Sequence, residues 1–172
     1  LDFGGDQGIH YHHIKRTLIT VPGLSLHKIF SPYRHDNGVE WNIVETQDCI
    51  DVVIRRNKNG DPTPPEIQWF SDINELEGEM DFIYSDSALH YMEDYNKTLS
   101  EMMSFKPQYI FLHKSTIGQH NTCLAMQTNF PDYGIIRNGR PSHFWFINEE
   151  SFREYIELHG YKVYHKEYFG NH

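Results

Sequence analysis

Apolar positions in this chain come in short bursts set between stretches with helical spacing. Leu1–Phe3, Trp41–Glu45, Ile67–Phe70, Asp81–Ser85 and Tyr109–His113 are rich in β-branched and aromatic residues. Each reads as a strand, the first as the end of one. Helical periods lie between them. Ile9–Ile19 carries Ile14 and Leu18 on one face, and Thr46–Ile54 suits a second helix. After strand four, Ala88, Met92, Tyr95, Leu99 and Met102 form one continuous helical stripe. Asn148 is placed to cap a last helix with the face Phe152, Tyr155, Ile156 and His159, which Gly160 ends. Tyr161–Phe169 follows as a sixth strand. Asn57–Pro65 is a loop, Pro22–Gly38 is turn-rich, and Lys114–Pro141 is expected to be long and irregular. Strands alternating with helices predict an α/β fold around a mostly parallel sheet.

Composition narrows the picture without changing it. A chain of 172 residues, 38% hydrophobic and 23% charged, suits one domain over 1–172 with a sizeable core. The net charge of −9 argues against broad phosphate-backbone contacts, so no nucleic-acid partner is expected. No apolar run approaches the ~20 residues of a membrane helix. Cys49 and Cys123 stand far apart in no metal or redox spacing, which fits a reducing, cytoplasmic setting. Only Leu1–Phe3 precede the first glycines, so strand one is expected to continue upstream, the N-terminal part being truncated here.

The chemistry concentrates where strands end. Leu1-Asp2-Phe3-Gly4-Gly5-Asp6-Gln7-Gly8 brings an acidic residue into a glycine cluster at the end of strand one. Glycines allow a tight turn and let backbone N–H groups approach a ligand. The spacing is neither the dinucleotide G-x-G-x-x-G nor a Walker loop. Glu45 ends strand two, where an acid can accept hydrogen bonds from both hydroxyls of a ribose. It lies farther on than the usual separation of roughly 20 residues, and Pro22–Gly38 supplies the needed insertion.

Other polar residues admit two readings each. Ser71-Asp72, just past strand three, suits either a ligand contact or a helix N-cap. His90 sits in D-F-I-Y-S-D-S-A-L-H-Y-M-E-D after strand four, either as a proton acceptor or as a residue that holds the loop. His10, His12 and His13 lack the spacing of a helical metal pair, and no metal is expected. His113 and Lys114 end strand five on the ligand rim. Arg137, Arg140, His143 and Trp145 could grip an anionic or sugar-like molecule, although a surface role suits each one singly.

Taken in order, D-F-G-G-x-x-G, W-N-I-V-E, the acid after strand three, the D-F-I-Y-S segment with L-H-Y-M-E-D, and F-I-N-E-E-S-F-R-E-Y-I-E-L-H-G-Y-K-V resemble class I S-adenosylmethionine-dependent methyltransferases. The D-F-G-G turn, strand two and the aromatic W-F before the last helix are also similar to a bacterial methyltransferase family associated with surface-polysaccharide (O-antigen) biosynthesis. The resemblance implies a Rossmann-like sheet flanked by helices and S-adenosyl-L-methionine as cofactor. It implies cofactor contacts at Asp2, Gly4, Gly5, Asp6, Gly8, Glu45, Asp72 and Ser85, with Ser85 at the methionine end and Asp72 at the adenine amino group. It further implies methyl transfer, most simply O-methylation, to a small-molecule or glycan acceptor, with His90 as catalytic base. The alternatives are a methyltransferase-like binding domain without turnover, a nicotinamide-dependent oxidoreductase, and an acidic interaction module. The glycine spacing disfavours the oxidoreductase.

Overall fold

The computed structural model describes residues 1–5, 8, 10–12, 40–60, 63–127 and 142–168. Residues 10–12 are helical, within the first expected helix. The remainder of that helix, the turn-rich Pro22–Gly38, and Asp6, His13, Arg137, Arg140 and Phe169 lie outside the described residues. The chain packs as two compact units, Leu1–Ser85 with Phe105–Phe111, and Asp86–Ser104 with Leu112–His172.

Five strands make a parallel, Rossmann-like sheet: β1 (Asp2–Phe3), β2 (Trp41–Val44), β3 (Ile67–Phe70), β4 (Phe82–Asp86) and β5 (Tyr109–His113), in the order β3-β2-β1-β4-β5. β1 is the pivot. Asp2 pairs with Ile43 on one side and Tyr84 on the other, and Phe3 with Val44 and Ser85. The strand order reverses at β1, so the crevice outside the carboxyl ends of β1 and β4 is where such sheets take ligands. The first unit's core is aromatic. Trp41 packs edge-to-face on Tyr11 and Phe82 at ring distances of 5.7 and 5.5 Å, with Ile43 and Ile67 buried beside them. Helix α1 (Gln47–Lys58) buries Ile50 and Val53 one turn apart. Asp48 in its first turn and Arg55, Arg56 and Lys58 in its last suit the helix dipole.

The helical stripe after strand four is broken in two. Leu89–Tyr91 forms a single 3-10 turn, Met92 is extended, and helix α2 begins only at Tyr95 and runs to Ser104. One local and one distant feature accompany the break. Ser87 adopts a left-handed φ of 57°, and the Met92 carbonyl accepts a 3.1 Å hydrogen bond from the Trp145 indole. The Asp94 carboxylate accepts from the Lys97 backbone N–H at 3.0 Å at the start of α2. Leu99, Met102 and Met103 then form the buried face.

Lys114–Pro141 carries more order than its composition predicts. Its described part holds β6 (Ile117–Gly118) and β7 (Cys123–Gln127). These flank β8 (Ser142–Asn148), β6 parallel and β7 antiparallel to it. Helix α3 (Glu149–Leu158) follows, capped as expected by Asn148, whose side chain accepts from the Ser151 N–H at 2.9 Å. Phe152 and Ile156 are its buried residues. The expected sixth strand is absent among the described residues: Tyr161–Tyr168 forms no ladder and is mostly exposed. Alternation alone cannot make a strand without a neighbouring edge to pair with. Neither cysteine takes part in a disulfide among the described residues, and no described helix is long and apolar enough to cross a membrane.

Ile43 has no solvent exposure and lies on the strand beside the pivot. Ile43→Ala is expected to cost about 2–5 kcal/mol of stability, measured by urea unfolding. A loss under about 1 kcal/mol would mean that the aromatic core around it closes up.

Candidate ligand site at the carboxyl edge of the parallel sheet

The glycine turn leaves β1 over a buried carboxylate. Asp2 is fully shielded from water; the Trp41 indole donates to its Oδ2 at 3.2 Å, and His10 Nδ1 lies 3.1 Å from Oδ1. Gly5 packs directly on this group. A Cβ at Gly5 would lie 2.7 Å from the Asp2 carboxylate and 2.9 Å from an Ile43 methyl carbon. Gly4 and Gly8 take left-handed φ values of 71° and 80°, which glycine adopts without strain. The Gly4 N–H donates to the Val44 carbonyl at 2.9 Å, and the Gly8 N–H to the Gly5 carbonyl at 3.0 Å.

Glu45 and Ser85 stand on either side of this turn. The Glu45 N–H donates to the Phe70 carbonyl at 3.0 Å, continuing the β2–β3 ladder, while its half-buried side chain accepts from the Thr46 N–H at 3.2 Å. Ser85 pairs with Phe3 across β4 and β1. It is fully buried, yet its Oγ has no hydrogen-bond partner among the described residues. A buried hydroxyl without a partner is costly. Asp2, Gly4, Gly5, Gly8, Glu45 and Ser85 thus gather on three adjacent strand ends.

Asp72 lies beyond β3, one strand further out, and is exposed. It forms a capping box over a 3-10 turn: its Oδ1 accepts from the Asn74 N–H at 2.9 Å, and Glu75 accepts from the Asp72 N–H at 2.8 Å. The N-cap reading of this residue therefore holds. Two contributors escaped the sequence pattern, His10 and Trp41. Both contact Asp2.

The second unit holds its own polar groups. His90 is buried in the 3-10 turn, its ring 4.4 Å from Tyr91 and 4.5 Å from Phe144. Its Nδ1 has no hydrogen-bond partner among the described residues, and burial pushes its pKa below the ordinary imidazole value. His143 Nε2 and Ser115 Oγ are also buried without partners among the described residues. Asp86 ends β4 with Oδ2 3.0 Å from His113 Nδ1 and 3.9 Å from Lys114 Nζ. Burial pushes the Asp86 carboxyl up. Hydrogen bonds from His113 and Ser87, with the charges of His113 and Lys114, outweigh that and hold it below the usual carboxylate range. Asp86 gave no sequence signal, because an Asp-Ser pair after a strand looks like any turn.

No protein-family model and no curated protein matches this sequence. Among solved structures the chain is similar to an S-adenosylmethionine dependent methyltransferase from Mesorhizobium loti. The TM-score is 0.53 at 12% identity, over 95% of this chain and 74% of that one. At that identity the likeness establishes the fold.

Two measurements follow from this geometry. Gly5→Ala is expected to cost about 1–3 kcal/mol, because the new methyl meets a carboxylate that has no room to retreat; thermal unfolding reads it, and an unchanged midpoint would show that the turn can lift. The second concerns His90. A ring held neutral in the fold takes up protons only on unfolding as the pH falls below the ordinary imidazole value. Its contribution is therefore present above that value and lost below it. Unfolding free energy should fall between about pH 7 and about pH 5, and His90→Gln should flatten that slope.

Proposed function

We propose that this chain is an S-adenosylmethionine-dependent methyltransferase that methylates a hydroxyl on a small, sugar-like acceptor. One observation carries the reading. A glycine turn moulded on a buried carboxylate lies between Glu45 and the unpartnered hydroxyl of Ser85, at the point where the strand order reverses. The fold shared with the Mesorhizobium loti methyltransferase supports it.

The residues present fit the cofactor. The glycines at positions 4, 5 and 8 let the backbone approach a ligand closely with no Cβ in the way, and Asp6 belongs to the same stretch of sequence. Glu45 suits the two ribose hydroxyls. Asp72 would reach the adenine amino group from the adjoining strand end, in addition to its capping role. Ser85 would satisfy its buried hydroxyl on the methionine end. Asp2 shapes the turn through His10 and Trp41 and contacts the cofactor only by way of it. When bound, S-adenosylmethionine supplies a methyl group on a sulfonium, ready for in-line displacement. The protein's task is then chiefly orientation, which is worth about 7–11 kcal/mol in well-aligned systems.

His90 belongs on the acceptor side as a catalytic contact. Its neutral ring and unpartnered Nδ1 suit a hydrogen bond to the acceptor hydroxyl. The same burial that keeps the ring neutral weakens it as a base, so contact suits it better than proton removal.

Calorimetric titration with S-adenosylmethionine and S-adenosylhomocysteine tests the proposal. Both should bind, and Glu45→Gln should weaken each about tenfold or more, the worth of a charge-assisted bond of about 1.5–3 kcal/mol. His90→Ala should leave both affinities unchanged. Binding of NADH in their place would overturn the reading in favour of an oxidoreductase.

A further inference from the structure

The chain has three tryptophans, Trp41, Trp69 and Trp145. Two of their indole N–H groups hold acceptors: Trp41 donates to Asp2 Oδ2 at 3.2 Å, and Trp145 to the Met92 carbonyl at 3.1 Å. The third, Trp69 Nε1, is buried with no hydrogen-bond partner among the described residues. Its place in the sheet makes that informative. Trp69 pairs with Ile43 across β3 and β2, and Ile43 pairs with Asp2 across β2 and β1. The three residues form one row across the sheet and share a face. Two glycines pack on this row. A Cβ at Gly5 would meet Asp2 and Ile43, and a Cβ at Gly8 would lie 3.6 Å from Ile43 Cδ1 and 3.7 Å from Trp69 Cζ2. Cζ2 is on the Nε1 side of an indole, so the side of the ring with the unused donor is the one beside Gly8. Phe70, the next residue, accepts the Glu45 N–H through its carbonyl at 3.0 Å. A buried donor without an acceptor is costly, and a buried indole N–H usually finds one.

We propose that Trp69 is a further cofactor-binding residue, its indole N–H donating to an acceptor atom in the nucleoside part of the ligand held at the glycine turn. This rests on the methyltransferase reading above. Strand order decides which part of the ligand Trp69 meets. Ser85, assigned to the methionine end, is on β4, on one side of β1. β2, which leads to Glu45, and β3, which carries Trp69, lie on the other side. The donor therefore belongs with the ribose and adenine. An indole nitrogen donates and cannot accept. The position thus admits a ring nitrogen or an oxygen and rejects an amino group, which makes Trp69 a determinant of which nucleoside fits. Until such a ligand arrives, the fold carries the cost of a donor that nothing answers.

The alternative is a ring that only seats Gly8, and the N–H separates the two. The full chain, labelled with nitrogen-15 in tryptophan, shows one indole N–H resonance per tryptophan, and Trp69→Phe identifies that of Trp69 by its loss. S-adenosylhomocysteine, adenosine and methionine are added in turn to the unmutated chain. The Trp69 resonance should move downfield with S-adenosylhomocysteine and with adenosine, as a hydrogen bond forms, and stay in place with methionine. By calorimetry, Trp69→Phe, which keeps an apolar ring and removes the donor, should bind S-adenosylhomocysteine about tenfold more weakly. Calorimetric binding of S-adenosylhomocysteine with an unmoved Trp69 resonance would overturn the contact and leave the methyltransferase reading standing. A resonance that moves with methionine and not with adenosine would overturn the assignment to the nucleoside. If adenosine moves it while S-adenosylhomocysteine does not bind, the contact holds and the methyltransferase reading falls. Failure of both to bind would overturn both.

Discussion

The first unit is arranged around a carboxylate that water does not reach. Asp2 is held by the Trp41 indole and lies against His10, so three separate stretches of chain meet at one charge. Burying such a group is costly unless its oxygens are satisfied. Here the satisfaction fixes where the helix after the turn must begin and how Trp41 must lie. Trp41 in turn seats the aromatic core, with Tyr11 on one side and Phe82 on the other. Gly5, in the turn that follows, packs directly on the carboxylate.

The second unit shows the same economy in another form. Its chain turns sharply after β4 and again after β5, and both turns spend a left-handed non-glycine residue. Beside these turns a carboxylate and an imidazole meet, Asp86 Oδ2 3.0 Å from His113 Nδ1. The break at Met92 serves a similar end: an extended residue exposes a carbonyl that the Trp145 indole caps. Trp145 also packs on Tyr95 at 5.5 Å, so one tryptophan on β8 anchors both sides of the interrupted helix.

Local pattern was enough wherever burial followed it. Ile67–Phe70 and Tyr109–His113 are strands with the expected bounds, and Asn148 caps the last helix as its position suggests. The apolar stripe from Ala88 to Met102 misled because its period was right while its ends were decided elsewhere. Nothing near Met92 announces that an indole far along the chain will take its carbonyl. β7 and β8 were hidden for a related reason: pairing between distant strands leaves little trace in either one alone. In the candidate site, the glycine turn and the place of Glu45 at a strand end were legible because turn chemistry and strand ends are local. His10, Trp41 and Asp86 were not, since each acquires its role from a partner that only the fold supplies.

The contact between Gly5 and Asp2 has a consequence for how this sequence can drift. A side chain at position 5 is excluded by the carboxylate and by Ile43, not by the turn's dihedral angles. Position 5 is therefore tied to two others. A shorter residue at position 2 relieves only the carboxylate contact, and the Ile43 methyl must give way as well before position 5 can grow. Yet shortening residue 2 also strands the Trp41 indole and removes the group beside His10. Change at this turn is thus a matter of several linked replacements, and the acid and the second glycine behave in inheritance as one letter.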